Sequence, residues 1–430
     1  MLKLSLYNRY ICIDEKHYIY NLVSKAIVAL ESVDTLQLLK NARFNEIDPP
    51  LIQALQDANI LCDDSIDEYL QILRLHRIIK YGNRNARLTL LPTLNCNFRC
   101  WYCYEHHYPS KMTEREINAV EIFARKLLSS NRLNSMTLDW FGGEPMLHFK
   151  SVIVPLSIRI RDLCKAHQVP FNNMITTNGS LFKSEQIPLL KDIELKQYQI
   201  TLDGDREIHN KTRYSAAFPD SFKTIIGNIL LLVDAIPQID MTVRINCTKE
   251  NIDSIANIIK YFPMECRNKI CISMQIVWQQ IDDYKTFSKG LNIATDQFVQ
   301  AGFFVPSHCV LPPCPNLCYV DNMLHYTIAP DLQVYKCTAR DFTPNSVNHI
   351  GSLTENGEFQ SNKNILLYYQ NAAFENEKCR ACEFLPVCRV NCIQKHIEKE
   401  KIHCNKDELC TNVDNIIKQT IITRLKKHNS

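Results

Sequence analysis

Glycine is scarce in this chain, with ten residues among 430. That scarcity excludes collagen-like and Gly-rich low-complexity architectures. An excess of one charge is also missing: 49 Lys and Arg stand against 46 Asp and Glu, a formal net charge of +3. Nothing therefore argues for a nucleic acid or polyanionic partner. No apolar run reaches membrane-spanning length. The start, MLKLSLYNRYICIDEKHYIY, is broken by charges and lacks the apolar centre of a signal peptide. What is plentiful is cysteine, 19 residues in all. Without a secretory signal the expected setting is a reducing cytoplasm, where disulfides are rare and metal clusters explain the thiols better. Hydrophobic residues make up 46% and charged residues 22%, ordinary for a globular protein, and the length suggests two to three domains.

Three of the cysteines, Cys96, Cys100 and Cys103, read C-x3-C-x2-C inside LPTLNCNFRCWYCYE. Three thiolates on one short loop hold three irons of a [4Fe–4S] cube. The fourth iron then has no protein ligand, and an open metal position is what catalytic sites keep. A zinc site is the alternative, but zinc sites usually come as two C-x2-C-like pairs and no second pair lies nearby.

Downstream comes MTLDWFGGEPML, with Gly142, Gly143, Glu144 and Pro145 directly after an apolar strand. NMITTNGSL follows, with Thr176, Thr177, Asn178 and Gly179, and then YQITLDGDREIHNKTR, with Asp203, Gly204, His209 and Arg213. Four of the ten glycines thus follow predicted strands at these motifs, where the lack of a Cβ permits close backbone approach.

In this order the motifs resemble the radical S-adenosylmethionine (SAM) superfamily. The resemblance implies that Cys96, Cys100 and Cys103 hold a [4Fe–4S] cluster whose open iron takes the methionine amine and carboxylate. It implies that the Gly142-Gly143-Glu144 turn bonds the methionine amino group, with Thr177 and Asn178 also at the cofactor. The Tyr102 backbone corresponds to the family's adenine contact, and Arg213 to a cation for the SAM carboxylate. A guanidinium suits that task because its fork makes two parallel hydrogen bonds to a carboxylate.

From about Arg84 to Trp278, strands and helices alternate. Expected strands are Arg87–Pro92, Met136–Phe141, Phe171–Thr177, Tyr198–Leu202, Met241–Thr248 and Ile270–Val277. Thr113 and Glu116 form a capping box, after which Ile117, Val120, Ala124 and Leu127 recur on one face. Phe222, Ile226, Ile229 and Val233 repeat that spacing, as do Ile252, Ile255, Ile259 and Phe262. Six strand–helix units predict an α/β fold with a parallel sheet curved into a partial (β/α)6 barrel. The motifs fall at the C-terminal strand ends, where barrels place active sites.

This barrel is expected over 81–305. Residues 1–80 lack the motifs. YICID and HYIYN alternate around the turn-like Asp14-Glu15-Lys16, and helices follow around Ser32–Lys40 and Pro49–Ala58. The pattern resembles the winged-helix-like recognition element of peptide-modifying radical SAM enzymes; a structural cap over the barrel is the other reading. Residues 306–430 carry a second cysteine array, CRACEFLPVCRVNC, which is C-x2-C-x5-C-x3-C. It resembles the SPASM domain, which holds two auxiliary [4Fe–4S] clusters, three per chain with the first. By that resemblance Cys318, Cys337 and Cys392, with Cys314 or Cys309, ligate one. Cys379, Cys382 and Cys388, closed by Cys404 or Cys410, ligate the other, with Cys404 favoured. The family's turn glycine is replaced by Leu332.

The resemblance implies reductive cleavage of SAM to a 5′-deoxyadenosyl radical that abstracts hydrogen from a peptide. A low-potential donor such as flavodoxin or ferredoxin would feed the cluster. Sulfatase maturases follow the cysteine equivalent to Cys337 with an aspartate base, whereas this chain has Thr338, and Asp341 only later. The expectation is a peptide maturase that installs a thioether or carbon crosslink on a leader-bearing peptide. A sulfatase-maturase-like enzyme and a non-catalytic iron–sulfur electron carrier are the alternatives.

Overall fold

The computed structural model describes the chain apart from residues 131, 278, 281–283, 307–316, 371, 389–391, 399–405 and 429–430. It divides into two compact units.

The first unit gathers residues 1–83, 307–323 and 366–430. Strand β1 (Leu2–Leu4) is followed by the hairpin β2 (Asn8–Ile13) and β3 (Lys16–Asn21). Asp14 and Glu15 take φ of 48° and 64°, the paired left-handed conformations of a type I′ turn. Strand β4 (Ile27–Leu30) completes a three-stranded sheet in the order β2-β3-β4, with β4 at an edge. Helix α1 (Val33–Lys40) starts where the Ser32 hydroxyl accepts the Thr35 N–H. Helix α2 (Pro49–Asp57) opens on proline, which needs no N–H there. Strand β5 (Leu61–Asp63) pairs with β1, and α3 (Glu68–Gly82) is capped by Asp67.

One face of this N-terminal sheet is core for the cysteine-rich tail. Tyr7, Ile11, Tyr18, Leu22 and Ile72 cluster with Phe374, Phe384, Leu385, Val413 and Ile417, and Cys379 and Cys382 pack against them. Arg9 adds ion pairs to Glu383 at 2.6 Å and Asp414 at 2.9 Å.

The second unit holds residues 84–306 and 324–365. Six parallel strands, β6 (Asn85–Leu90), β8 (Ser135–Trp140), β9 (Phe171–Thr177), β10 (Leu195–Thr201), β12 (Asp240–Cys247) and β13 (Ile270–Ile276), lie side by side. Between them, β7 (Arg99–Cys100) pairs with β11 (Arg213–Tyr214). On the far side of β6 the sheet continues through β14 (His325–Ile328), β15 (Gln333–Tyr335), β16 (His349–Leu353) and β17 (Phe359–Ser361). The result is a mixed sheet of ten strands, and the α/β class expected from the sequence is the one found. Apolar helix faces cover the parallel strands; Ile117, Val120 and Ala124 of helix Glu114–Ser130 are all buried. The stretch 252–262, expected as an α-helix, is instead 3-10 over Ile255–Tyr261.

Residues 306–430, expected as one C-terminal domain, are shared between the units: 306 and 324–365 belong with the barrel, and 307–323 and 366–430 with the N-terminal segment. Leu332, at the turn between β14 and β15, takes φ of 65°. Its buried side chain offsets part of the cost of a left-handed backbone. Among the described residues no helix is long and apolar enough to cross a membrane.

Candidate active site

The loop after β6 carries Cys96, Cys100 and Cys103. The Asn95 side chain accepts the Cys96 N–H at 2.9 Å, and the Cys96 sulfur accepts the Phe98 N–H at 3.4 Å. His107 hydrogen-bonds the Leu94 carbonyl through Nδ1 at 3.1 Å, so Nδ1 carries the proton and Nε2 accepts the Cys103 thiol at 3.4 Å. Burial pushes the Cys96 thiol up to about 12 and Cys103 up to about 11, and raises Cys100. Thiols so desolvated become thiolates when a cation offsets the charge, as a metal does. A cube spreads three thiolates over three irons.

The glycines after β8 serve the fold more directly than the sequence suggested. Gly142 and Gly143 take φ of 79° and 50°. A Cβ on Gly142 would sit 2.5 Å from Leu91 Cγ, and one on Gly143 would sit 2.2 Å from the Asn95 carbonyl oxygen. The close approach is to the cysteine loop itself. Gly143 N–H then donates to Glu105 at 2.7 Å and Glu144 N–H to Asn95 O at 2.8 Å. Burial lifts the Glu105 carboxyl to about 7.

The Glu144 carboxylate accepts Met146 N–H at 2.9 Å, Thr177 hydroxyl at 2.7 Å and Asn178 N–H at 2.8 Å. One Oε2 lone pair and the turn's backbone carbonyls are the acceptors that could take an amine. Asn178 also bonds Asn97 at 2.8 Å, which bonds Ser180 at 3.0 Å. Thr177 and Asn178 thus brace the Gly-Gly-Glu turn and the cysteine loop.

The segment TLDGDREIHNKTR forms a clamp at the end of β10. Asp203 N–H donates to His209 Nδ1 at 3.1 Å. The Asp203 carboxylate accepts the Tyr102 hydroxyl and, at 2.9 Å, the Asn246 N–H. Arg213 donates from Nη1 to the Tyr102 oxygen at 2.7 Å, and its backbone pairs with Cys100. Its buried Nε has no hydrogen-bond partner among the described residues. A buried, orphaned guanidinium N–H facing the cysteine loop fits a carboxylate. The Tyr102 carbonyl accepts the Gln279 amide at 2.9 Å, which leaves it one lone pair for a further N–H donor. The site thus suits a cluster of three thiolates with SAM beside it.

Sequence reasoning singled out Cys96, Cys100, Cys103, Tyr102, Gly142, Gly143, Glu144, Thr177, Asn178 and Arg213, and these come together here. It missed Glu105, Asn97 and Asn246, whose partners lie far away in sequence, and His107, which bonds Leu94 and Cys103 within the same loop. A further pair is Asp341 with His106: the Asp341 carboxylate accepts His106 N–H at 3.1 Å and meets His106 Nδ1 at 2.5 Å.

The remaining cysteines divide between the units. Cys337 is buried after β15, its N–H donating to Asn348 at 2.7 Å. Cys318, Cys379, Cys382, Cys388 and Cys392 lie in the first unit. The Cys318 N–H donates to Asp321 at 3.0 Å, and Asp321 is 3.8 Å from the buried Lys80 ammonium of α3. Cys309, Cys314 and Cys404 lie outside the described residues, and Cys410 falls on helix Lys406–His428. Of the cysteines outside these two arrays, Cys164, Cys247 and Cys266 are buried, Cys62 and Cys271 are half-buried, and Cys12 is exposed. Cys12 sits on the solvent-facing side of β2.

Residues 90–262 match the radical SAM superfamily. A cysteine-type anaerobic sulfatase-maturating enzyme from Clostridium novyi is 25% identical over 331 residues, covering 69% of this chain and 85% of that protein. The sporulation killing factor maturation protein SkfB from Bacillus subtilis is 23% identical over 248 residues, covering 56% of this chain and 51% of that protein. A solved structure, native anSMEcpe with bound AdoMet and Cp18Cys peptide, superposes with a TM-score of 0.56 at 17% identity, over 80% of this chain and 99% of that one. The motifs and the family match agree: residues 90–262 form a radical SAM domain, of the kind that binds SAM and a [4Fe–4S] cluster, and the protein is an enzyme.

Proposed function

We propose that this enzyme modifies a peptide or protein substrate, and that it installs a thioether or carbon crosslink on a ribosomally made, leader-bearing peptide. When bound, the reduced cluster and SAM supply a carbon radical able to abstract hydrogen from an unactivated C–H bond. The chain's residues hold and shield that chemistry. Cys96, Cys100 and Cys103 would ligate the cluster. The carbonyls of the Gly142–Glu144 turn would take the methionine amine, the Tyr102 carbonyl the adenine amine, and Arg213 the carboxylate. Glu144, Thr177 and Asn178 would act by fixing the turn.

The observation that carries the reading is at Cys337. The next residue is Thr338, and the nearby Asp341 is occupied by His106. An aspartate base directly after that cysteine, suited to oxidising a serine or cysteine side chain, is missing. The edge strand β4 and the exposed apolar residues Leu75, Ile78 and Ile79 of α3 support a peptide-binding role for the N-terminal segment. In this reading Cys318, Cys337 and Cys392, with Cys314, hold one auxiliary [4Fe–4S] cluster. Cys379, Cys382, Cys388 and Cys404 hold the second, and a flavodoxin or ferredoxin supplies electrons. A sulfatase-maturase-like activity is the second reading, favoured by the similarity over most of the Clostridium novyi protein's length.

The test is co-expression with a candidate precursor peptide encoded beside the enzyme. A loss of two hydrogens per crosslink, dependent on Cys96, Cys100 and Cys103, supports the proposal. Conversion of a sulfatase peptide to formylglycine instead would overturn it for the second reading. Reconstituted protein should hold about twelve irons, four for each cluster; four irons with bound zinc would sink the auxiliary clusters.

A further inference from the structure

The Tyr102 hydroxyl has one proton to give and two lone pairs to fill. Both lone pairs are taken, by Arg213 Nη1 at 2.7 Å and Asn246 Nδ2 at 3.0 Å. The proton goes to Asp203. Asp203 cannot turn away, because its other oxygen accepts the Asn246 N–H at 2.9 Å and its own N–H is held by His209. His209 is fully buried, and burial holds its pKa well below the ordinary value, so its Nδ1 stays an acceptor. Gly204 makes the turn beside them at φ of 88°.

Two buried nitrogens of this cluster lack a partner among the described residues, His209 Nε2 and Arg213 Nε. A buried donor left so costs stability unless a ligand fills it. Arg213 and Asp203 are also the charges that act with opposite sign on the Cys100 thiol, which places both against the cysteine loop. The guanidinium is therefore fixed at one end and open at the other.

We propose that Asp203, acting through the Tyr102 hydroxyl, is the positioning residue that aims Arg213 at the carboxylate of SAM. The inference rests on the reading of Arg213 as the carboxylate's partner. Without the hydroxyl, Arg213 Nη1 and Asp203, now 3.4 Å apart, close on each other and draw the fork off its target. With asparagine at 203, an NH2 faces a hydroxyl that already accepts two donors, and the proton has no acceptor.

The experiment compares binding of SAM and decarboxylated SAM to anaerobically reconstituted holoenzyme, without reductant, by equilibrium dialysis. Tyr102→Phe and Asp203→Asn should each lower the preference for SAM roughly ten- to hundredfold, the span of one hydrogen bond to a charged group. Affinity of Asp203→Asn for decarboxylated SAM should change by no more than about twofold, since that side chain holds the Tyr102 hydroxyl and not the carbonyl read as the adenine contact. Equal weakening of both ligands, or of neither, would overturn the proposal and leave the clamp a structural brace. Arg213→Gln separates the two levels. If it preserves the preference, Arg213 does not read the carboxylate. If it lowers the preference while Tyr102→Phe and Asp203→Asn do not, Arg213 stands and the aiming role falls. Should Tyr102→Phe lose its cluster, Asp203→Asn alone decides by the same ratio.

Discussion

Glu105 accepts the Gly143 N–H at 2.7 Å. That bond ties the residue two places after Cys103 to the turn expected to hold the methionine amine. A Cβ on Gly143 would stand 2.2 Å from the Asn95 oxygen, so cluster loop and turn are fitted to each other with no room between them.

Gly143→Ala should therefore destabilise the holoenzyme by on the order of 2–4 kcal/mol, from backbone strain and overpacking together, and weaken SAM binding. Gly227 is the control. It lies inside helix Ser221–Ala235 with open space around it, and Gly227→Ala should stabilise by about 0.5–1 kcal/mol. Denaturant melts of the two variants should move in opposite directions.

At Leu332 the usual order of small residues should invert. Alanine in place of a buried leucine forfeits packing and keeps the left-handed backbone; glycine forfeits the same packing and relieves it. Leu332→Gly should be more stable than Leu332→Ala by about 1 kcal/mol, with both below the parent. The reverse ranking in urea melts would mean that the turn relaxes to an ordinary conformation.

His76 is buried against Phe374, with ring centroids 4.6 Å apart. Burial, with Lys80 and Arg77 nearby, lowers its pKa from 6.5 to about 4. The unfolded chain thus binds the proton more readily than the native one, and stability falls as pH drops through 6.5 toward 4. The loss attributable to this group is on the order of 2–3 kcal/mol over that window. His76→Leu should flatten the pH dependence of the urea midpoint between pH 7 and pH 5; an unchanged slope would show that the ring is protonated in the folded protein.

Peptide recognition by β4 can be tested without deleting residues 1–80. Deletion would bare at least Phe374, Phe384, Val387 and Ile417, worth roughly 6–12 kcal/mol, as much as a typical domain's whole stability. Asn21 N–H donates to Ala26 O at 3.1 Å. Pair alternation then points the Ala29 N–H outward, away from β3. Ala29→Pro removes that outward donor and spares the ladder. Precursor modification should drop at least about tenfold if a leader adds a strand there, while uncoupled SAM cleavage continues. Equal turnover of leader-bearing and leader-free peptide would refute the edge as the recognition surface.

The barrel was legible because each parallel strand is a compact apolar run followed by a helix of regular period. Phe171–Thr177 matched to the residue, and the other five strands shifted by one to three positions at an end. The last four strands of the sheet were not foreseen. They span three to five residues each and have no periodicity of their own; β14 is a strand by pairing with β6, and each of the others by pairing with the one before it. The site's cysteines and glycines could be read from spacing. Its clamp could not, since the Tyr102–Asp203 bond joins residues 101 apart. Asp341 looked displaced in the sequence; His106, 235 positions away, is what holds it.

The pairing of β14 with β6 also sets an order of events during synthesis. These neighbours lie about 240 residues apart in the chain. A ribosome adding about 5–20 residues per second takes roughly ten to fifty seconds to deliver the second after the first. Throughout that interval one edge of the first barrel strand lacks its partner. The loop after Cys103 likewise waits for its anchors, since Tyr104 bonds Thr338 O at 2.7 Å and His106 bonds Asp341. A nascent chain thus carries Cys96, Cys100 and Cys103 off the ribosome long before it can hold their loop in its final shape.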